Sequence, residues 1–371
     1  MAQPSRARAR DLGIAVGELP AGPLNAITDV PGVLVGHCTV SWGGPELPRG
    51  SGPARTGVTA IFPHPDDIWH QRVVAGAHAE NGVGEVVGMS AIREWGLIET
   101  PIMLTNSQSV GAVYDATVRW MMERNPLAGI EDAVMPVVGE CDDSFLNDMR
   151  GMHVKQEHVW AALDGAAAGP VTEGCAGAGT GMTCCDFKGG IGTSSRLITA
   201  HERQYTVGVL ALTNFGIRRR LMVDGVPVGR EITDLMPAEN TEGSCIVVLA
   251  TDAPLTARQC ERMAKRCGLG LAVVGSYASD GSGEIMVAFT TASRVARKNS
   301  GLVTIFTVAN DQLAELFEAA VDATAEAVLN SICMAQTSVG RDGQTAHAVP
   351  LDRLVEAMNK HDRPARLPAE P

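Results

Sequence analysis

Aromatic residues are scarce in this 371-residue chain: 5 Trp, 3 Tyr and 7 Phe, together 4%. Charge is also sparse, at 19%, and it tilts negative. Lys and Arg number 30 against 42 Asp and Glu, a net charge of −12. That balance excludes a general nucleic-acid binder, which needs a basic footprint. No run approaches the ~20 apolar residues of a membrane span, so no membrane partner is expected. The nine cysteines include no C-x-x-C pair, and their odd number at scattered positions argues against a disulfide framework. Free thiols in the cytoplasm are the expectation. Arg6, Arg8 and Arg10 are not followed by an apolar run of signal-peptide length, so they read as a short solvated tail.

Several chemical signatures are also missing. Gly177-Ala178-Gly179-Thr180-Gly181-Met182 lacks the last glycine of G-x-G-x-x-G, and Lys188 follows Phe187 rather than Gly, so there is no P-loop. Neither H-E-x-x-H nor G-x-S-x-G occurs. The nine histidines are dispersed. His153 and His158 are five apart, and His64 sits between two prolines in what reads as an exposed turn. No metal site and no cofactor are expected.

Glycine is abundant, with 41 of 371 residues, about 11% against a typical ~7%. The apolar fraction of 45% excludes disorder, and a core of this size needs no staple. Strands are expected at 33–35, 58–62, 101–105, 134–138, 205–212 and 244–250. Helices are expected near 90–94, 110–125, 156–167, 255–267 (with Gly268 as its stop), 311–334 and 351–359. Residues 173–200 are glycine-dense, a place for sharp turns or close backbone approach. Residues 216–243 read as an exposed connection and 365–371 as loose. Asp280-Gly281-Ser282-Gly283 reads as the turn of a hairpin joining 271–278 to 284–291. Strands mixed with amphipathic helices imply layered α/β packing.

Three features could carry chemistry. Gly243-Ser244 lies where a polar connection meets a buried strand. A serine there could attack the preceding carbonyl, shift the amide to an ester and be freed as a new N-terminus. Its α-amine, with a reference pKa of about 8, could then act as general base to its hydroxyl. Ser282 and Glu284 are two apart, so alternation puts them on one side. Asn214 ends a strand, where an amide could stabilise an oxyanion. Each also fits an ordinary turn or strand end.

The stretches NAITDVPGVLVGH, RTGVTAIFP, ENGVGEVVG, PIMLTNSQSVG, PVVGECDDSFLND, GAGTGM, KGGIGTSSR, YTVGVLALTNFG, GSCIVVLATDAPL and SDGSGE run in order from about residue 11 to 291. Together they resemble the DmpA family, the L-aminopeptidase/D-esterases related to β-peptidyl aminopeptidases. The resemblance implies a four-layer αββα sandwich of the DmpA/ornithine acetyltransferase type, similar to N-terminal nucleophile hydrolases but connected differently. It implies one catalytic domain, 1–371, autocleaved between Gly243 and Ser244 into chains 1–243 and 244–371. Ser244 matches the nucleophile, Ser282 and Glu284 its partners, and Asn214 the oxyanion donor. Glu140 resembles the acid that receives the substrate's ammonium, with Asp142 and Asp143 as competitors. The family implies short peptide, amide or ester substrates with a free amino group, and homotetramers of processed protomers. The chain departs from the family at Cys141-Asp142, where some members carry an aromatic, and at Cys245, where an aliphatic residue is usual. A nylon-oligomer-type amidase or an acyltransferase of the same fold would use Thr rather than Ser244. An unprocessed, non-catalytic binding protein is the remaining alternative.

Overall fold

The computed structural model describes residues 6–200, 203–238, 243–298 and 301–368. In chain order its elements are β1 (Leu34–Trp42), β2 (Ala54–Phe62), β3 (Gln71–Gly82), β4 (Val86–Val87), α1 (Met89–Trp95), β5 (Leu97–Ile98) and β6 (Ile102–Asn106). Next come α2 (Val110–Arg124), β7 (Val137–Cys141), α3 (Gln156–Asp164), β8 (Thr183–Cys184), β9 (Phe187–Lys188), β10 (Gly190–Ala200) and β11 (Arg203–Thr213). The remainder holds α4 (Val228–Glu231), β12 (Cys245–Thr251), α5 (Ala257–Val273), β13 (Gly283–Ala296), α6 (Ala314–Met334) and α7 (Leu351–Lys360).

Two sheets form the centre. One has the order β1-β2-β6-β7-β4, the other β10-β11-β12-β13-β3-β5. Period-two alternation along β12 explains the layering. Cys245, Val247 and Leu249 pack with α5 and α6, while Ile246, Val248 and Ala250 pack against the first sheet. β11 and β13 divide their residues in the same way. Both faces of these strands are therefore apolar, which is why 244–250 reads as a continuous apolar run. Helices α2 and α3 cover the outer face of the first sheet, and α5 and α6 that of the second. The result is the expected αββα sandwich. Its two parallel pairs, β6–β7 and β12–β13, are each joined through a helix, α2 and α5.

Several expectations are corrected. The proposed hairpin does not form. Residues 271–273 complete α5, and β13 pairs parallel to β12 and antiparallel to β3. Helix α5 runs through Gly268 because Cys267 and Leu271, on its apolar stripe, are buried against α6. Tertiary burial outweighs the ~1 kcal/mol helix penalty of glycine. The connection after β11 is packed rather than exposed: Arg218, Val223, Val226, Val228 and Ile232 are buried. Residues 239–242 of that connection lie outside the described residues. The N-terminal arginines are anchored, not solvated. Arg6 Nε donates to the Cys333 carbonyl at 2.7 Å, and Arg8 and Arg10 pair with Glu173 and Glu326. His64 is fully buried, with Nε2 2.8 Å from the Gln71 carbonyl. In the C-terminal stretch, the Ala365 N–H donates to Asn359 Oδ1 at 2.9 Å and the Arg366 N–H to the Leu12 carbonyl at 3.0 Å, while residues 369–371 lie outside the described residues.

Candidate active site

The site forms where matching ends of the two sheets meet. In the second sheet, register sets Cys245 opposite Thr213 of β11 and Glu284 of β13, and Glu284 opposite Asn81 of β3. Ser244 and Asn214 therefore flank one rung. They are joined by the Asn214 N–H, which donates to the Ser244 carbonyl at 3.0 Å. In the first sheet, Gly139 of β7 faces Ile246 of β12. A Cβ there would stand 3.1 Å from Ile246 Cγ2. That close approach carries the next residue, Glu140, toward Ser244.

Gly84 marks the point of convergence. A Cβ at Gly84 would lie 3.3 Å from Glu140 Oε1, 3.4 Å from Ser244 Oγ and 3.5 Å from Gly283 Cα. Glycine lets the carboxylate and the hydroxyl close on this point, which a side chain would crowd. Ser244 is buried, and its Oγ donates to the Val83 carbonyl at a long 3.4 Å. Ser282 Oγ donates to Glu284 Oε1 at 2.5 Å, and both side chains are buried. Glu284 Oε2 has no hydrogen-bond partner among the described residues. Burial raises the Glu284 pKa, opposed by the Ser282 hydroxyl. A carboxyl with one open oxygen and a raised pKa is suited to proton exchange.

Glu140 is held on both oxygens. The Glu85 N–H donates to Oε1 at 2.9 Å, and the Ser107 hydroxyl donates to Oε2. Burial raises its pKa, opposed by these two donors. A buried carboxylate held in this way can pair with a cation. Asp142, in contrast, is exposed. Its side chain caps its own turn at the Ser144 N–H, 2.7 Å away, and only its backbone carbonyl faces the site. Asp143 is fully buried, pushed up to about 7 by desolvation, and bonded by Asn147 at 2.9 Å. Neither aspartate is among the atoms nearest the Cβ position of Gly84, as Glu140 is.

Asn214 is clamped at both ends of its amide. Oδ1 accepts from the Thr183 N–H at 2.9 Å, and Nδ2 donates to the Asp142 carbonyl at 2.7 Å. Gly243 lies directly on it, and a Cβ at that position would collide with Asn214 Nδ2 and backbone oxygen. Cys245 is fully buried, its thiol pKa raised well above the usual value by desolvation, so it packs. All nine cysteines are free, and among the described residues no group of His, Cys, Asp and Glu is arranged to hold a metal.

The structure thus brings Ser244, Ser282, Glu284, Asn214 and Glu140 to one place. Ser107, Glu85, Gly84 and Thr183, which hold or admit them, were not singled out by the sequence reading. Ser107 lies in PIMLTNSQSVG, and Glu85 and Gly84 lie in ENGVGEVVG. Only the fold shows that these stretches meet.

A four-layer αββα sandwich with a buried serine at the head of a central strand is an architecture of the N-terminal nucleophile fold class. Residues 25–346 match the model of Peptidase family S58. The chain belongs to that family, the DmpA family, and is an aminopeptidase. It is 43% identical over 373 residues to the β-peptidyl aminopeptidase BapA of Sphingosinicella microcystinivorans, covering 96% of this chain and 93% of the relative. A crystal structure of a Pyrococcus horikoshii OT3 protein superposes with a TM-score of 0.93 at 44% identity, covering 96% of this chain and all of that one. The L-aminopeptidase D-Ala-esterase/amidase of Ochrobactrum anthropi gives a TM-score of 0.91 at 39% identity over 96% of this chain and 99% of its own. That protein is described as a prototype serine aminopeptidase with a variant Ntn hydrolase fold.

Proposed function

We propose that this chain is a self-processing serine aminopeptidase that hydrolyses short peptides, amino-acid amides or esters through an acyl-enzyme on Ser244. The observation that carries the reading is the convergence at Gly84: the Glu140 carboxylate and the Ser244 hydroxyl both come within 3.4 Å of one point beside it. An aminopeptidase needs that pairing, because it must recognise the free amine next to the bond it cuts.

In self-processing, Ser244 Oγ adds to the Gly243 carbonyl carbon and the bond to the Ser244 nitrogen breaks. The nitrogen leaves as an amine carrying the hydroxyl proton. Water then hydrolyses the ester, releasing the Gly243 carboxylate and the Ser244 hydroxyl. In turnover, the freed α-amine takes the Oγ proton as Oγ attacks the substrate carbonyl. The Asn214 Nδ2 amide holds the oxyanion. The proton passes to the leaving amine or alcohol, and water cleaves the acyl-enzyme. Ser282 and Glu284 anchor the new ammonium and relay its proton. Glu140 holds the substrate's ammonium.

Denaturing mass spectrometry tests this directly. The wild-type chain is expected as two fragments split between Gly243 and Ser244, and the Ser244→Ala chain as one, without activity on aminoacyl amides. A wild-type chain that stays whole and inert would overturn the proposal.

A further inference from the structure

Lys188 is fully buried, yet it lies outside the group of residues assigned chemistry above. Its Nζ donates to the carbonyls of Gly179 at 3.0 Å, Met182 at 2.7 Å and Gly189 at 2.8 Å. Three carbonyl acceptors match the three N–H bonds of an ammonium, whereas a neutral amine has one too few. Burial pulls the Lys188 pKa down, while the Cys175 thiol and the Asp143 carboxyl push it up. A cation kept here at the cost of desolvation calls for a reason.

The Met182 carbonyl provides one. It belongs to the same planar peptide group as the Thr183 N–H, and that N–H donates to Asn214 Oδ1 at 2.9 Å. Lys188 Nζ, the Met182–Thr183 peptide and the Asn214 amide therefore form one unbroken line of hydrogen bonds. The line ends at Nδ2, against Gly243.

We propose that Lys188 is a positioning residue for the reaction, polarising and orienting the Asn214 amide through the Met182–Thr183 peptide. The inference rests on the reading of Asn214 as the oxyanion donor. The ammonium draws electron density onto the Met182 oxygen, which makes the Thr183 N–H a stronger donor. That donor draws density onto Asn214 Oδ1, and the Nδ2 hydrogens become more positive in turn. Each link of such a chain strengthens by about 10–30%. One Nδ2 hydrogen is engaged by the Asp142 carbonyl at 2.7 Å. The other is left for the negative charge that develops on a carbonyl oxygen beside Gly243. The same line serves self-processing and turnover, since both develop that charge.

The test is a double-mutant cycle of Lys188→Met with Asn214→Ala, read as kcat and KM on an aminoacyl p-nitroanilide and as the half-time of self-processing. Loss of a whole oxyanion donor costs about 10²–10³ in kcat; weakening one is expected to cost about 10-fold. Lys188→Met should thus lower kcat about 10-fold with KM within about 2-fold, and slow processing similarly. In the Asn214→Ala background the same change should cost nothing further. Removing a buried ammonium can impair folding, so kcat is referred to active sites counted by burst titration. Lys188→Gln, which keeps a donor for one carbonyl but no charge, is run beside it. Titrated sites with wild-type kcat in both Lys188 variants would overturn the inference. So would a loss that persists in full without Asn214. If Asn214→Ala itself leaves kcat and processing unchanged, the reading of the site fails instead.

Discussion

At the scale of single residues, Glu140 is the side chain whose environment says most about substrate choice. Two donors fix its oxygens, and Oε1 lies across Gly84 from Ser244 Oγ. Truncating one partner of a buried charge pair costs about 2–5 kcal/mol. Glu140→Gln is therefore expected to raise KM for aminoacyl amides by about 30-fold or more, with a smaller change in kcat. Steady-state kinetics checks this, and an N-acetylated amide, which has no ammonium, should be equally poor with both proteins. The pH dependence has a definite sign. Burial holds the Glu140 pKa above the ordinary 4.5, so the carboxylate is neutralised earlier than a solvated one as pH falls. Inhibition by the free amino product should weaken through that range in the wild type and stay flat in Glu140→Gln. An inhibition constant that is flat with pH in both proteins would remove Glu140 from this role.

At the scale of elements, glycine sets how closely helices approach the sheets. A Cβ on Gly192 of β10 would lie 2.7 Å from the Ser331 nitrogen of α6 and would overlap the Ala327 carbonyl. Gly36 of β1 meets α3 at Ala162 in the same way, and Gly76 of β3 meets α5 at Glu261. In each case backbone meets backbone, and neither side can move alone. Gly192→Ala is expected to destabilise by about 3 kcal/mol, the upper end of overpacking, read as a lower urea midpoint. Gly111 of α2 has nothing within 4 Å of its Cβ position among the described residues. Gly111→Ala should instead stabilise by about 0.4–1 kcal/mol. The same contrast explains what was legible in the sequence. Strongly patterned segments such as β12, α2 and α6 announce themselves, because their apolar spacing is the packing. The strands β3 and β10 do not. Their glycines break the pattern where a helix comes closest, and GAHAEN and GGIGTSSR carry few large apolar residues. The 280–283 turn reads as a hairpin because its local chemistry suits one, whereas the pairing of β13 is set by β12 and β3. The site residues stood out through Gly-Ser, S-x-E and the family motifs. The residues that hold them, such as Thr183 under Asn214, are visible only once the chain is folded.

At the scale of the molecule, the proposed cut at Gly243–Ser244 falls inside an interleaved sheet. β12 and β13 follow the cut, yet they lie between β11 and β3, which precede it. α6, also after the cut, packs on β10, and its Glu326 binds Arg196 at 2.7 Å with both side chains fully buried. Glu326 also accepts from Arg10 at 2.9 Å and Asn25 at 2.5 Å. Breaking a buried ion pair by removing one partner costs about 3–5 kcal/mol, and separating the fragments would strip the partners from this one. It would also expose both edges of the β12–β13 pair and the apolar residues on both of their faces. The processed fragments are therefore expected to run as one species in size-exclusion chromatography under native conditions, and to part only in denaturant. A 244–371 fragment produced alone should lack cooperative unfolding. Two species resolved without denaturant would show that the cut dismantles the sheet. Co-migration would mean that self-processing frees the Ser244 amine without loosening the strands that hold Ser244 beside Glu140 and Asn214. In that case the fold must form completely before the bond is broken, because the strands that position Ser244 come from both sides of it.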